Sequence, residues 1–475
     1  MSVVTNTTTI GAIDAPSRRN TELMLLGFAV AIPVFAYINV GLALDGELPA
    51  GVLGYGLGLG LLAGVAHLVV RRFAKYADPL LLPLATLLNG LGLVLIWRLD
   101  QSPRLQARND FAAQATNQLM YSALGIALFV GVLLVMKDHR VLQRFTYISM
   151  AASIVLLLLP LVPGLGADVF GAKIWIRVGG FSIQPGEFAK IVIAVFFSGY
   201  LMVKRDALAL ASRRFMGLYL PRGRDLGPIL TIWAMSLLIL VFENDLGTSL
   251  LFFGMFVIML YVATERTSWI VMGLLMSAGG AVVVSTFATH VQSRVAAWLD
   301  PFGCLETVKD NPNMLNACDQ MTQVLMSFGA GGTLGTGWGQ GNSDLISFAA
   351  NSDFIFATVG EELGLAGVMA FLLIYGLIIE RGVRTALAAR DPFGKLFAIG
   401  LSGAFALQVF VVAGGVMGLI PLTGMTMPFL AAGGSSVIAN WALIGILIRI
   451  SDTARRPAPA PAPSPDAEMT QVVRP

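Results

Sequence analysis

Between Leu23 and Ile450 the chain is a succession of apolar runs close to twenty residues long, separated by polar breaks. A helix needs about twenty such residues to cross hydrocarbon, where every backbone amide must be satisfied within its own segment. The pattern predicts an all-α polytopic membrane protein. Twelve spans are expected, over 23–43, 51–70, 80–98, 118–136, 145–163, 187–203, 227–243, 247–263, 269–288, 354–379, 396–417 and 430–450. Composition agrees. Only 12% of the 475 residues are charged, about half the share of a soluble domain, and mean hydropathy is +0.77. A net charge of +3 gives no reason to expect nucleic acid as a partner.

Charge placement orients the spans. With the N-terminus in the cytosol, the segments after even-numbered spans include "RRFAK", "KDHRVLQR" and "ERGVRTALAARDPFGK". Those segments, with Arg18, Arg19 and Arg474, hold 23 of the 31 Lys and Arg. Positive charge favours the cytosolic side, so both termini are expected there. Residues 1–22 read as a short cytosolic lead without signal-peptide character, 23–450 as the membrane domain, and 451–475 as a disordered Pro/Ala-rich cytosolic tail.

Two external segments stand out. Gly164–Gly186 leads into "PGEFAKI", where Glu187 and Lys190 lie three apart and share one helix face. They either pair with each other at the outer interface or line a polar cavity, since ionisable groups in a span default to pairing or function. The other segment, Thr289–Asp353, is about 65 residues long, too long for a plain connection. Both cysteines, Cys304 and Cys318, fall in it, which favours a disulfide in an oxidising compartment; two thiols alone are a poor metal site. His67, His139 and His290 are scattered.

Acids gather on the same outer side. "FENDLGTSLL" brings Glu243, Asn244 and Asp245 to a turn, and "NSDFIFATVGEELGLAG" brings Asp353, Glu361 and Glu362 to the start of a span. Acids and bases converging on one membrane face suit a polar or anionic headgroup. The glycine run Gly329–Gly341 matches no phosphate-binding fingerprint and reads as a re-entrant or hairpin loop. Asp300, Glu306, Asp310 and Asp319 are all candidates for a general base, and spacing does not choose among them.

The stretches "GAKIWIRVGGFSIQPGEFAKI", "FENDLGTSLL", "RVAAWLDPF", "QMTQVLMSFGAGGTLGTGWGQG", "NSDFIFATVGEELGLAG" and "GGVMGLIPLTGMTMPFLAAGGSS" occur in this order over residues 170–440. Together they resemble the SEDS (shape, elongation, division and sporulation) family, the FtsW/RodA/SpoVE proteins. The resemblance implies a peptidoglycan glycosyltransferase that polymerises lipid II, the undecaprenyl-pyrophosphate-linked disaccharide pentapeptide. An acid of the large external loop would deprotonate the acceptor sugar's 4-hydroxyl, which attacks the donor's anomeric carbon as undecaprenyl pyrophosphate leaves. Arg177, Lys190 and Arg294 are the cations placed to meet the pyrophosphate, and Gln320 and Gln323 stand at the family's glutamine pair. The resemblance further implies a class B penicillin-binding transpeptidase as partner and the bacterial plasma membrane as location. A divalent cation, Mg or Mn, can assist such chemistry, although no complete ligand set is legible.

The chain departs from the family pattern where the base is expected. It reads "DPFGCLETVKDNPNMLNACDQ" where relatives carry "NP..DP.G.GY". Counting forward from Arg294 reaches Asp300, and counting back from Gln320 lands nearer Asp310, so either is the base. Asn351 and "AAGGSS" replace the usual His and "SYGGSS". Twelve spans, two more than the common ten, resemble the elongation type of high-GC Gram-positive bacteria. Two other activities fit intramembrane acids. One is a flippase or transporter of the lipid-linked precursor. The other is a non-catalytic scaffold for the transpeptidase.

Overall fold

The computed structural model describes residues 17–457 apart from 109–111, 170–171, 179–180, 210–212, 216–217, 221–233, 236–237, 239–242, 244, 287, 308–311 and 347–348. Its helices are α1 (Arg19–Asp45), α2 (Val52–Phe73), α3 (Leu81–Asp100), α4 (Pro103–Gln106), α5 (Ala115–Val135), α6 (Thr146–Leu158), α7 (Pro185–Ala209), α8 (Leu246–Thr264), α9 (Ser268–Ser285), α10 (Thr289–Leu299), α11 (Pro301–Thr307), α12 (Pro312–Gly331), α13 (Ile355–Ala388), α14 (Pro392–Val416) and α15 (Gly434–Arg455). Among the described residues, eleven helical stretches are long and apolar enough to cross a membrane. The expected span over 227–243 lies almost wholly outside them, as do most of the N-terminal lead and the C-terminal tail.

Helices α3, α14 and α15 are the most enclosed, with α1, α2, α6 and α9 at the periphery. Between lipid-embedded helices apolar contact with lipid is as good as contact with protein, so small residues that permit close approach decide the packing. A Cβ on Gly92 of α3 would stand 2.4 Å from the Phe429 carbonyl oxygen, and one on Gly400 of α14 would stand 2.7 Å from Met259 Sδ. The peripheral helices turn Phe28, Phe35, Leu53, Leu57 and Leu61 outward, as lipid-facing surfaces do.

The two long segments expected outside the membrane are structured. The first folds into an antiparallel sheet of β1 (Gly166–Val169), β2 (Ala172–Val178) and β3 (Phe181–Ile183), in which Ile176 pairs with Ile183 and Arg177 with Ser182. The expected 65-residue loop contains α10, α11 and α12, closed over a small core of Ala297, Cys304, Cys318 and Met321. The two cysteines are joined as a disulfide, with their Cα atoms 5.9 Å apart.

The glycine run begins as the end of α12 and continues into a loop threaded through a break in α13. The break is at Gly364, whose φ of 65° and ψ of −165° are closed to ordinary residues. Backbone groups freed by the break are satisfied by the loop: Leu365 N donates to Gly332 O (2.9 Å) and Thr336 N to Glu361 O (2.9 Å). Carboxylates complete the clamp. Glu362 accepts from Arg98 Nε at 2.5 Å and Gly339 N at 2.8 Å, and Glu361 from Asn342 N at 2.7 Å. Arg98 also donates to the Gly341 carbonyl.

A second charged network ties the opposite helix ends together. Arg19 pairs with Glu22, Glu22 with His67 Nδ1 (2.8 Å), Arg455 with Asp78 (2.6 Å), and Arg449 Nη1 donates to Phe73 O (2.7 Å). These groups sit at or near the ends of the segments richest in Lys and Arg.

Removing one member of an enclosed ion pair strands its partner, at a typical cost of about 3–5 kcal/mol. Arg98→Met is therefore expected to lower the thermal unfolding midpoint in detergent well below wild type. An unchanged midpoint would show that the clamp contributes nothing.

Candidate functional site

Two clusters of polar side chains meet the chain segment Thr423–Thr426, which lies between α14 and α15. The first is built on α7. Glu187 falls in its first turn, and Lys190 lies three residues on, so one helix face presents both, as the spacing requires. Lys190 is 1% exposed, and its three N–H donors are all used: Glu187 Oε2 at 2.6 Å, Gln408 Oε1 at 2.9 Å and Asn440 Oδ1 at 2.9 Å. The Gln408 amide in turn donates to Thr426 O at 3.0 Å and Glu187 Oε1 at 3.3 Å. Both sequence-based readings of the pair are thus present in part: Glu187 and Lys190 bond to each other, and they do so in a polar interior shared with two further helices.

The second cluster surrounds Arg294 of α10. Its Nη1 donates to Thr423 O at 2.8 Å, and its charge faces Asp353 and Asp245. Asp245 is the N-cap of α8, accepting from Thr248 N at 2.9 Å and from the Thr248 hydroxyl. Burial pushes the Asp245 carboxyl up, opposed by the Thr248 bonds and Arg294. Burial raises Asp353 to about 6, partly offset by Arg294, while Glu243 reaches about 8 through burial and the neighbouring Asp245. Burial also lowers Arg294 and, with Arg294 beside it, His290. Glu243 and Asp245 line a crevice with Ile174 of β2, Gln184, Leu156 and Pro160, so the small sheet roofs this cluster.

Other predicted site residues lie around these clusters. Helix α10 is docked by Arg294 and by Trp298 Nε1, which donates to Gly418 O at 2.9 Å. Asp300 follows at its C-terminal end, exposed, with Oδ1 accepting from Gly303 N at 2.9 Å. Asp310 lies outside the described residues. Gln320 and Gln323 are half-buried on α12, and Arg177 is exposed on β2. Glu361 belongs to the glycine-loop clamp, with Oε2 buried and unbonded. Among the described residues, no three His, Cys, Asp or Glu side chains are grouped to hold a metal ion. Sequence reading passed over Gln408, Asn440 and Arg98. Each is a polar group inside an apolar run, the signal that singled out Glu187 and Lys190.

The raised carboxyls give stability a sign. In the unfolded chain Asp353 and Glu243 titrate near 4, and in the folded protein near 6 and 8. The folded state thus binds more protons between these values, and their contribution is lost as pH rises from about 4 to 8. The unfolding midpoint should fall across that range, with Glu243→Gln flattening its upper part and Asp353→Asn its lower part. A wild-type midpoint that rises with pH, or slopes unaffected by both variants, would contradict the assignment.

The family model of the FtsW/RodA/SpoVE cell cycle proteins matches residues 79–456. The peptidoglycan glycosyltransferase RodA of Mycobacterium tuberculosis is 47% identical over 443 residues, covering 93% of this chain and 92% of the relative. In fold, the chain is similar to the rod shape determining protein RodA of Thermus thermophilus, with a TM-score of 0.53 at 23% identity over 80% of this chain and 98% of that one. It is also similar to a chain from a peptidoglycan synthase complex that coordinates polymerization and crosslinking, at TM-score 0.52 and 22% identity over 85% and 98%. The match over most of the chain, in the segments that build both clusters, makes this protein a member of the FtsW/RodA/SpoVE family.

Proposed function

We infer that the chain is an integral-membrane peptidoglycan glycosyltransferase and that its substrate is lipid II. The activity follows from the extent of identity to RodA proteins. The substrate, the residue roles, the plasma-membrane location with both termini cytoplasmic, and a class B penicillin-binding transpeptidase as partner are our proposals.

In the reaction the acceptor's 4-hydroxyl oxygen bonds to the donor's anomeric carbon as the bond to the diphosphate breaks. A base takes the hydroxyl proton, and the leaving diphosphate gathers charge. Asp300 or Asp310 is the base. Asp300 stands exposed at the end of the helix that carries Arg294.

Arg294 is the cation that meets the diphosphate, and its surroundings carry this reading. Its charge is balanced by carboxyls that burial makes easy to protonate, and an arriving anion can replace them without leaving unpaired charge behind. Arg177 on the exposed strand is the second cation available to the headgroup. Lys190 plays a different part: with all three donors engaged, it fixes α7, α14 and α15 around the site. Glu243, Asp245 and Asp353 complete the polar lining, with Gln320 and Gln323 on the facing helix, while Glu187 and Glu361 belong to the frame around it. A divalent cation can neutralise part of the diphosphate charge.

The test is glycan synthesis by the purified protein with its transpeptidase partner and labelled lipid II. General-base catalysis is typically worth on the order of 100-fold or more, so Asp300→Ala or Asp310→Ala should lose at least that, and Arg294→Ala should fall comparably. Wild-type output from both Asp variants would remove the base assignment. Translocation of lipid II by wild type with no chain lengthening would replace polymerisation by transport, and neither activity from wild type with its partner present would leave a scaffold.

A further inference from the structure

The two polar clusters do not touch directly in any described contact. What connects them is four residues of main chain. Thr426 O accepts from the Gln408 amide at 3.0 Å, and Thr423 O accepts from Arg294 at 2.8 Å. The residues between are pinned as well. Gly424 has φ of 75°, and a Cβ there would stand 3.0 Å from Arg294 Nη2. Met425 packs on Gly247 in the first turn of α8, so close that a Cβ on Gly247 would lie 2.1 Å from Met425 Cγ. Asp245, the cap of that turn, is one of the acids facing Arg294.

Gln408 is fully buried, and its amide is oriented from both ends. Its oxygen must accept from Lys190, and its nitrogen must therefore face Glu187 and Thr426 O. An ammonium beside the oxygen and a carboxylate beside the nitrogen exclude the flipped amide, so the donor is locked onto the main chain. The segment cannot slide without breaking either this bond or the one to Arg294.

We propose that Gln408 is a positioning residue for the transferase reaction, holding Thr423–Thr426 so that the segment aims the Arg294 guanidinium at the site of the leaving diphosphate. The proposal rests on the reading of Arg294 as the anion-binding cation. Misaiming Arg294 affects the charge that develops as the sugar–diphosphate bond breaks more than it affects binding of the lipid-anchored substrate. It also removes the guanidinium that holds Asp353 below the value burial alone would give it, with Asp245 and Glu243 as the other acids and His290 as the other base facing the cluster.

Gln408→Met keeps the volume and removes the amide. In the polymerisation assay with the partner present, kcat should fall roughly 10- to 100-fold, the scale of an ångström-sized misplacement, with KM for lipid II nearly unchanged. The alkaline limb of the pH–kcat profile, where Asp353 ionises and competes for Arg294, should move to higher pH. Arg294→Lys should impair the enzyme by itself and add little when combined with Gln408→Met, because both disturb one interaction. Gly424→Ala forces the segment from its other end and should reproduce the kcat loss and the limb shift; it serves as the second variant if Gln408→Met does not fold. If Arg294→Lys alone keeps wild-type kcat, the reading of Arg294 is wrong. Impairment by Arg294→Lys that multiplies independently with that of Gln408→Met, or a folded Gln408→Met with an unmoved alkaline limb, would overturn the positioning role.

Discussion

An ammonium group at 1% exposure within a bundle of apolar helices is sustained only if each of its three N–H bonds finds an acceptor. Lys190 finds them on its own helix, on α14 and on α15. That requirement ties three helices together at once, because the acceptors come from α7, α14 and α15 and must all lie within hydrogen-bond distance of one nitrogen. Further contacts in the same half of the molecule follow from it. The Gln408 amide, oriented by the lysine, reaches the Thr423–Thr426 segment, and Asn440 Nδ2 donates to Ser436 Oγ in the first turn of α15 at 3.2 Å. Ser435 accepts from Gln184 N at 2.9 Å, which joins the small external sheet to the same helix start.

The same rule, applied to backbone groups, accounts for the glycine-rich loop. A helix broken within a packed region exposes carbonyls on one side of the break and amides on the other. In α13 both sets are answered by residues 332–337, and the loop's own amides are answered by Glu361 and Glu362. Glycine is needed at Gly335 because its Cβ would stand 2.2 Å from the Glu362 carbonyl oxygen, and φ there is +84°. A run that looks permissive in sequence is therefore held at defined points, and the acids beside it serve the fold.

Much of this was legible from residue pattern alone. Apolar run length located all the spans that the described residues contain, and the Glu187–Lys190 spacing put both groups on one face. Helix ends were less legible. Helix α13 continues to Ala388, nine residues past its expected end, because Arg381 and Arg384 extend a helix whose apolar stretch is already complete. The long external segment looked like a loop because α10 and α11 are short and their small core depends on a disulfide, neither of which leaves a periodic signal. Partners were the least legible. Gln408 and Asn440 lie 218 and 250 residues from Lys190, and no local rule pairs positions so far apart. The acids near Arg294 were found by type and position, but their raised protonation follows from burial, which only the assembled bundle supplies.

The two clusters differ in one respect that bears on how the site handles charge. Around Lys190 every donor is met by a side-chain acceptor, so there is no vacancy for a ligand and no electrostatic reason for the group to move. Around Arg294 the opposing charges are the Asp353 and Asp245 carboxyls, both pushed up by burial, Asp353 to about 6. Such a cluster can change its net charge by taking up or releasing protons while its heavy atoms stay in place. In the proposed reaction a diphosphate would bring at least two negative charges to this cluster, and the carboxyls would answer by protonation while the guanidinium answered by hydrogen bonding. On its departure the protons would return to solvent and the acids would again balance Arg294. The saturated lysine supplies a fixed frame, and the titratable acids supply a variable charge. For the proposed reaction, separating these two tasks would let the site bind and release a highly charged leaving group without rearranging the helices that hold it.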